Sequence, residues 1–224
     1  MTDTAIPTRT APRINLRDAG TFFGLVLIFA VFAVLNPVFL TAPNLINILQ
    51  QSSINACIAL GMTFVIISGG IDLSVGPTAA VSAIVGATLM IAGVPIPLAV
   101  AGAIATGMAC GLFNGALVAI AGLQPFIVTL GALSLYRALA LIFTGGNPIF
   151  GIPPEFRSAI NGLVLGVPVP VIIVAIIAAI LWVVLNRSPL GEYILAVGGN
   201  PEAARIAGVP VARTKIIVYV LSGG

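Results

Sequence analysis

Asp72 stands in SGGIDLSVGP, the stretch Ser68–Pro77, between the apolar runs "ALGMTFVII" and "TAAVSAIVGATLMIAGV". Glycine permits backbone angles that other residues resist. Gly69–Asp72 are therefore expected to break one helix and Ser74 to open another, with Asp72 or Ser74 capping the new N–H groups. At membrane depth, irregular backbone is tolerated only where protein or a water-filled cavity covers it, and many transporters place broken helices at such cavities. Two readings stay open: a solvated turn at the membrane surface, or part of a cavity, gate or internal ion pair. Arg137, in "LSLYRALALIF", is the other ionisable residue inside an apolar run. An arginine there costs about 3 kcal/mol on insertion scales, so it should face protein, water or an acid. An Asp72–Arg137 pair is one arrangement that would serve both. Asn44, Asn47, Gln51 and Asn55 recur at helical spacing and share one face. That stripe would line a polar path or hydrogen-bond another helix. The candidate path or gate is thus Asn47, Gln51, Asn55, Asp72, Ser74 and Arg137.

Other chemistry is excluded by residue type. Histidine is absent, so no His-based triad, HExxH zinc site or imidazole proton shuttle can form. Cys57 and Cys110 fall inside apolar runs and read as small packing residues. The only lysine, Lys215, is followed by isoleucine, whereas a P-loop needs Gly-Lys-Ser/Thr. With no clustered nucleophiles, bases or metal ligands, no catalytic residue, metal site or cofactor is expected. "GMACGLFNG" places Gly107, Gly111 and Gly115 in a tandem GxxxG. Glycines every four residues make a flat helix face for close packing, within one subunit or across a dimer.

The elements that must position these residues are set by solvent. Of 224 residues, 59% are hydrophobic and 7% charged, against about 25% charged in soluble domains. Mean hydropathy is +1.20, and the apolar runs are long, so the chain reads as an integral membrane protein. The expected fold is all-α: a polytopic transmembrane helical bundle with broken or re-entrant segments. Residues 1–18 read as a disordered cytoplasmic tail and residues 19–224 as the membrane domain. Spans are expected at roughly Gly20–Leu40, Asn44–Ser68, Ser74–Ala92, Leu98–Ala121, Pro125–Phe143 and Val169–Leu185. Asn36-Pro37 would break the first, and Thr41 would cap the second. Residues 144–168 read as a Gly/Pro-rich loop, re-entrant around Ala159–Leu165, and residues 186–215 as a polar stretch. A seventh span begins at Ile216 and does not finish, which suggests a truncated chain. The bases follow this count. Arg9, Arg13 and Arg17 lie in the tail, and Arg187, Arg205, Arg213 and Lys215 flank or lie in the polar stretch. Six crossings put both groups on one side, which the positive-inside rule assigns to the cytoplasm. They form no patch for nucleic acid.

"GGNPEAARIAGVPVARTK", Gly198–Lys215, carries a short helix. Asn200 is a good N-cap, Pro201 fits the first helical position, Glu202 suits the N-terminal end and Gly208 ends it. Ala203, Ala204 and Ala207 offer a shallow face, and Glu202 and Arg205 a polar rim, for a cleft on another protein. A solvated loop helix is the alternative. Together with "ALGMTFVIISGGIDLSVGP" and "FIVTLGALSLYRALALIFTGG", this segment resembles the membrane permeases of bacterial ABC importers, in the ribose/xylose/arabinose (monosaccharide) branch. The resemblance implies a multi-pass permease of the bacterial inner membrane, with a cytoplasmic N-terminus. It also implies a second permease subunit (a homodimer or heterodimer), separate cytoplasmic ABC ATPase subunits and a periplasmic sugar-binding protein. It implies that Asn200–Gly208 is similar to the coupling helix that docks on the ATPase, so the chain would not itself be an enzyme. Family members continue for several more spans. An ion-coupled secondary transporter of a small polar solute is the rival. Such carriers often hold several membrane acids or histidines, and only Asp72 is available here.

Overall fold

The computed structural model describes residues 16–224. The expected tail lies outside the described residues, apart from Leu16, Arg17 and Asp18, which open helix α1 (Leu16–Leu35). The chain divides into two compact units, one ending at Ile48 and the other Leu49–Gly224.

In the first unit α1 stops before Asn36-Pro37, because a residue that precedes proline is kept from helical angles. Asn36 Oδ1 accepts from Val38 N at 2.9 Å. The turn brings Phe39 back onto α1, stacked on Phe32 at 5.7 Å and edge-on to Phe29 at 5.0 Å. Helix α2 (Ala42–Ile67) starts here and crosses the unit boundary. Thr41 holds the cap position, its carbonyl accepting from Leu45 N, but its hydroxyl donates back to Val38 O at 2.7 Å.

The second unit continues with α3 (Val75–Ile91), α4 (Ile96–Ala119), α5 (Pro125–Thr144) and α7 (Val169–Arg187). Among the described residues, α2, α4, α5 and α7 are long and apolar enough to cross a membrane, so the protein is multi-pass. The other two expected spans are shorter apolar helices, α3 and Phe22–Leu35 of α1. The 17 residues of α3 rise about 25 Å, less than a bilayer core of about 30 Å.

Two stretches differ from expectation. Residues 144–168 are not a plain loop. They form helix α6 (Pro154–Asn161) and a hairpin of β1 (Leu163–Val164) and β2 (Val167–Pro168), paired Leu163 to Pro168. Leu165 and Gly166 make the two-residue turn at φ 53° and 80°, the positive angles such hairpins require. The polar stretch 186–215 is mostly helical: α8 (Pro189–Gly199), α9 (Pro201–Ile206) and the start of α10 (Val211–Gly223). Ser188 caps α8 by accepting from Gly191 N, while Ile194 and Val197, one helical turn apart, are buried. The last helix begins at Val211 rather than Ile216, so Arg213 and Lys215 lie on α10.

The closest packing in this unit is α10 along α4. A methyl on Gly107 would strike Gly223 O, and one on Gly111 would strike Tyr219 O. One on Gly115 would come within 3.0 Å of Ile216 Cα. All three glycines of the repeat thus face α10 of the same chain. Gly111→Leu is expected to force these backbones apart and lower stability by about 3 kcal/mol or more. Gly131→Ala on α5, where a methyl meets nothing within 4 Å, should instead raise it by about 0.5–1 kcal/mol. Thermal unfolding of the two detergent-solubilised variants measures the contrast.

Candidate functional site

The helix break is real and buried. Helix α2 ends at Ile67, Gly69 takes φ 78°, and Ser74 is the N-cap of α3. Asp72 is only 4% exposed and Ser74 fully buried, so the segment is not a solvated turn. Asp72 Oδ1 accepts from Ser74 N at 2.8 Å and from Ser74 Oγ at 2.6 Å. A carboxylate acceptor makes these short, charge-assisted bonds. Asp72, not Ser74, is therefore the side chain that serves the start of α3. Ser74 Oγ in turn accepts from Asn114 Nδ2 of α4 at 2.8 Å. Tyr136 OH, from α5, lies 3.0 Å from both Asn114 Oδ1 and Cys110 O, and its single proton serves one of these acceptors at a time. The freed carbonyl of Ile71 accepts from Tyr219 OH of α10 at 3.1 Å, and Thr129 Oγ1 lies 3.4 Å from it. Three other helices, α4, α5 and α10, thus close on the break between α2 and α3.

The other candidate path residues stand apart from it. Arg137 is exposed on α5; among the described residues it makes no ion pair, and Glu202–Arg205, at 3.5 Å, is the one salt bridge. The Asp72–Arg137 pair does not form, because Tyr136, the neighbouring residue, takes the inward position. Arg137 lies about 10 Å by helical rise from the end of α5, within reach of a snorkelling guanidinium. Asn47, Gln51 and Asn55 are exposed along α2, without side-chain hydrogen bonds to described residues, and Asn44 turns to Phe39 O at 2.7 Å. A cavity of about 440 Å³ does open beside α2, but Cys57, Thr78, Ser82 and Ser222 line it rather than the amide stripe. Ser82 Oγ and Ser222 Oγ are buried and have no partner among the described residues.

At the surface helix α9, Asn200 Oδ1 accepts from Glu202 N and Ala203 N, both at 3.0 Å. Gly208 leaves it at φ 86°. Ala203, Ala207, Glu202 and Arg205 are exposed. Ala204 is a correction: it is 5% exposed, buried against Val197, Val209 and Val211 of its own chain. It anchors α9 and cannot offer a docking face. The side chain that projects is Ile206, 89% exposed. The capping pattern drew attention to the small residues and passed over this one. Asn114, Tyr136 and Tyr219 were missed likewise, although a polar side chain in an apolar run carries its own cost in a bilayer.

Comparison with known proteins covers the whole of this arrangement. Residues 44–224 match the family described as branched-chain amino acid transport system / permease component. The ribose import permease protein RbsC of Bacillus subtilis is 41% identical over 93% of this chain and 65% of its own length. The D-allose transport system permease protein AlsC of Escherichia coli is 42% identical over 91% of this chain and 63% of its own. The autoinducer 2 import system permease protein LsrD of Enterobacter is 37% identical over 89% and 63%. The chain thus spans just under two thirds of the length of these relatives. No solved structure matches it.

Asparagine at position 72 keeps an oxygen that can accept both Ser74 bonds, whereas alanine keeps none. Asp72→Asn is expected to lose less than about 1 kcal/mol and Asp72→Ala about 1–3 kcal/mol. Unfolding midpoints in detergent distinguish them.

Proposed function

As the chain belongs to the family of branched-chain amino acid transport system permease components, we propose that it is a membrane-spanning subunit of an ATP-driven importer that carries a monosaccharide of the ribose or allose class inward. The observation that carries this reading is the identity of 41–42% to ribose and allose permeases over more than nine tenths of the chain. The protein sits in the bacterial inner membrane with its N-terminus in the cytoplasm, in keeping with the bases of the tail and of residues 187–215. ATP is hydrolysed by separate cytoplasmic subunits, a periplasmic binding protein delivers the sugar, and a second permease subunit completes the path. The chain is not itself an enzyme.

In this reading α9 is the contact with the ATPase, with Ile206 as its apolar knob and Glu202 and Arg205 as its rim. Movement there has two direct routes to the helix break. One is α8, where Gly198 sits so close to Ile67 O that a methyl would strike it. The other is α10, whose Tyr219 donates to Ile71 O. A rigid-body displacement of α8, α9 and α10 would therefore act on the end of α2 and the start of α3 together. Asp72 holds Ser74 through that displacement, so α3 moves as a capped unit. The gate is the junction itself rather than an ion pair.

Three outcomes test this. Ile206→Asp should insert normally, yet lose co-purification of the ATPase and lose uptake of labelled ribose or allose. Ala204→Asp should instead lower the membrane level, because a carboxylate would be buried among Val197, Val209 and Val211. Tyr219→Phe should keep the ATPase bound while uptake per ATP hydrolysed falls. Uptake driven in vesicles by a proton or sodium gradient, without ATPase subunits, would sink the proposal and favour the ion-coupled rival.

A further inference from the structure

A second cavity, of about 290 Å³, opens where the turn between α4 and α5 meets α9 and α10. Arg205 and Lys215 both line it, with Gln124 as a neutral polar group and Val118, Leu123 and Val211 as apolar wall. Lys215 makes no ion pair among the described residues, and the acid facing Arg205 is Glu202, itself exposed. Two helix starts open on the same space, since Pro125 and Val211, the first residues of α5 and α10, line it too. Neither start has a side-chain cap hydrogen bond, and neither first turn holds an acid. Pro125 has no N–H, and Val211 N, Ile127 N and Val128 N already donate to backbone carbonyls, which leaves the N–H groups of Phe126, Ala212 and Arg213 open at ends that carry about half a positive charge. On α10 the sequence adds Arg213 and Lys215 close to that end, where the helix dipole opposes cations.

We propose that this cavity binds the phosphate group of an anionic lipid headgroup. Two cations and two uncapped helix starts converge on it, and only Glu202 opposes their sign. The cavity lies at the ends of two membrane-crossing helices, the level at which headgroups sit, and basic pockets between such helices bind anionic headgroups. Its apolar wall suits the glycerol and upper acyl carbons that follow the phosphate. A free phosphate shares this chemistry but makes no use of that wall. The inference does not rest on the transport reading, because it needs only the membrane and these four helix ends.

The test uses the full-length permease purified from membranes, with phosphatidylglycerol, phosphatidylcholine and inorganic phosphate as probes. Native mass spectrometry should show phosphatidylglycerol retained in preference to phosphatidylcholine. Lys215→Gln should cut that retention about fivefold. Ala212→Asp is the second variant: it puts an acid in the first turn of α10, which favours the helix but repels the ligand. It should keep the unfolding midpoint and lose the retention. Inorganic phosphate that raises the midpoint in lipid-free detergent, with the rise lost in both variants and no preference between the lipids, would overturn the lipid source. Equal retention of both lipids, or a preference unchanged in Ala212→Asp, would overturn the site.

Discussion

Breaking a helix inside a membrane protein frees backbone groups that lipid cannot satisfy. At Ile67–Val75 backbone bonds serve the last carbonyls of α2, and side chains from other helices or from the break itself serve Ile71 O and Ser74 N. Tyr219 serves the carbonyl of Ile71, Asp72 serves the N–H of Ser74, and Asn114 and Tyr136 extend that chain of bonds. The relative placement of α3, α4, α5 and α10 follows from these bonds. Asn114 is short and the two tyrosines are rigid, so each helix has to stand at a set distance from the break and in one rotation. An unsatisfied buried group would cost about 1–3 kcal/mol, enough to select one packing among several that apolar contacts alone would allow.

Close approach then becomes the second requirement, and the glycine repeat supplies it. Tyr219 can reach Ile71 only if α10 lies against α4 with almost no side chain between them. Gly107, Gly111 and Gly115 remove that side chain on one helix, and Gly223 does so on the other, where a methyl would strike Gly107 O. Gly70 makes the matching space at the break, since a methyl there would sit 3.0 Å from Tyr219 OH. The repeat is therefore not an independent packing motif. It sets the distance over which a tyrosine can hydrogen-bond a broken helix.

The spans, the break and the cap of α9 were legible because each rests on a local rule. A long apolar run needs lipid, two glycines with an aspartate interrupt a helix, and Asn-Pro-Glu starts one. What was not legible depended on direction around a helix. Arg137 drew attention as the charged residue of α5, yet Tyr136 beside it faces the interior, a difference of one residue and about 100°. Ala204 and Ile206 are separated in the same way: small size suggested docking for the first, while its position turns it onto Val197 and Val211. The α8 helix was hidden by its proline, glycines and glutamate, which read as a loop until Ile194 and Val197 find a common face.

The surface helix and the buried break share a mechanical logic. An isolated helix of two turns is not stable in water, so α9 exists only because Asn200 caps it and Ala204 ties it to the elements on either side. Both of those elements press on the break without a flexible linker: α8 through Gly198 on Ile67, and α10 through Tyr219 on Ile71. Backbone-to-backbone contact at Gly198 leaves no rotamer to absorb a shift, and a tyrosine hydroxyl bond tolerates only a few tenths of an ångström before it weakens. A shift of α8 or α10 would therefore bear directly on the end of α2 or on the bond to Ile71.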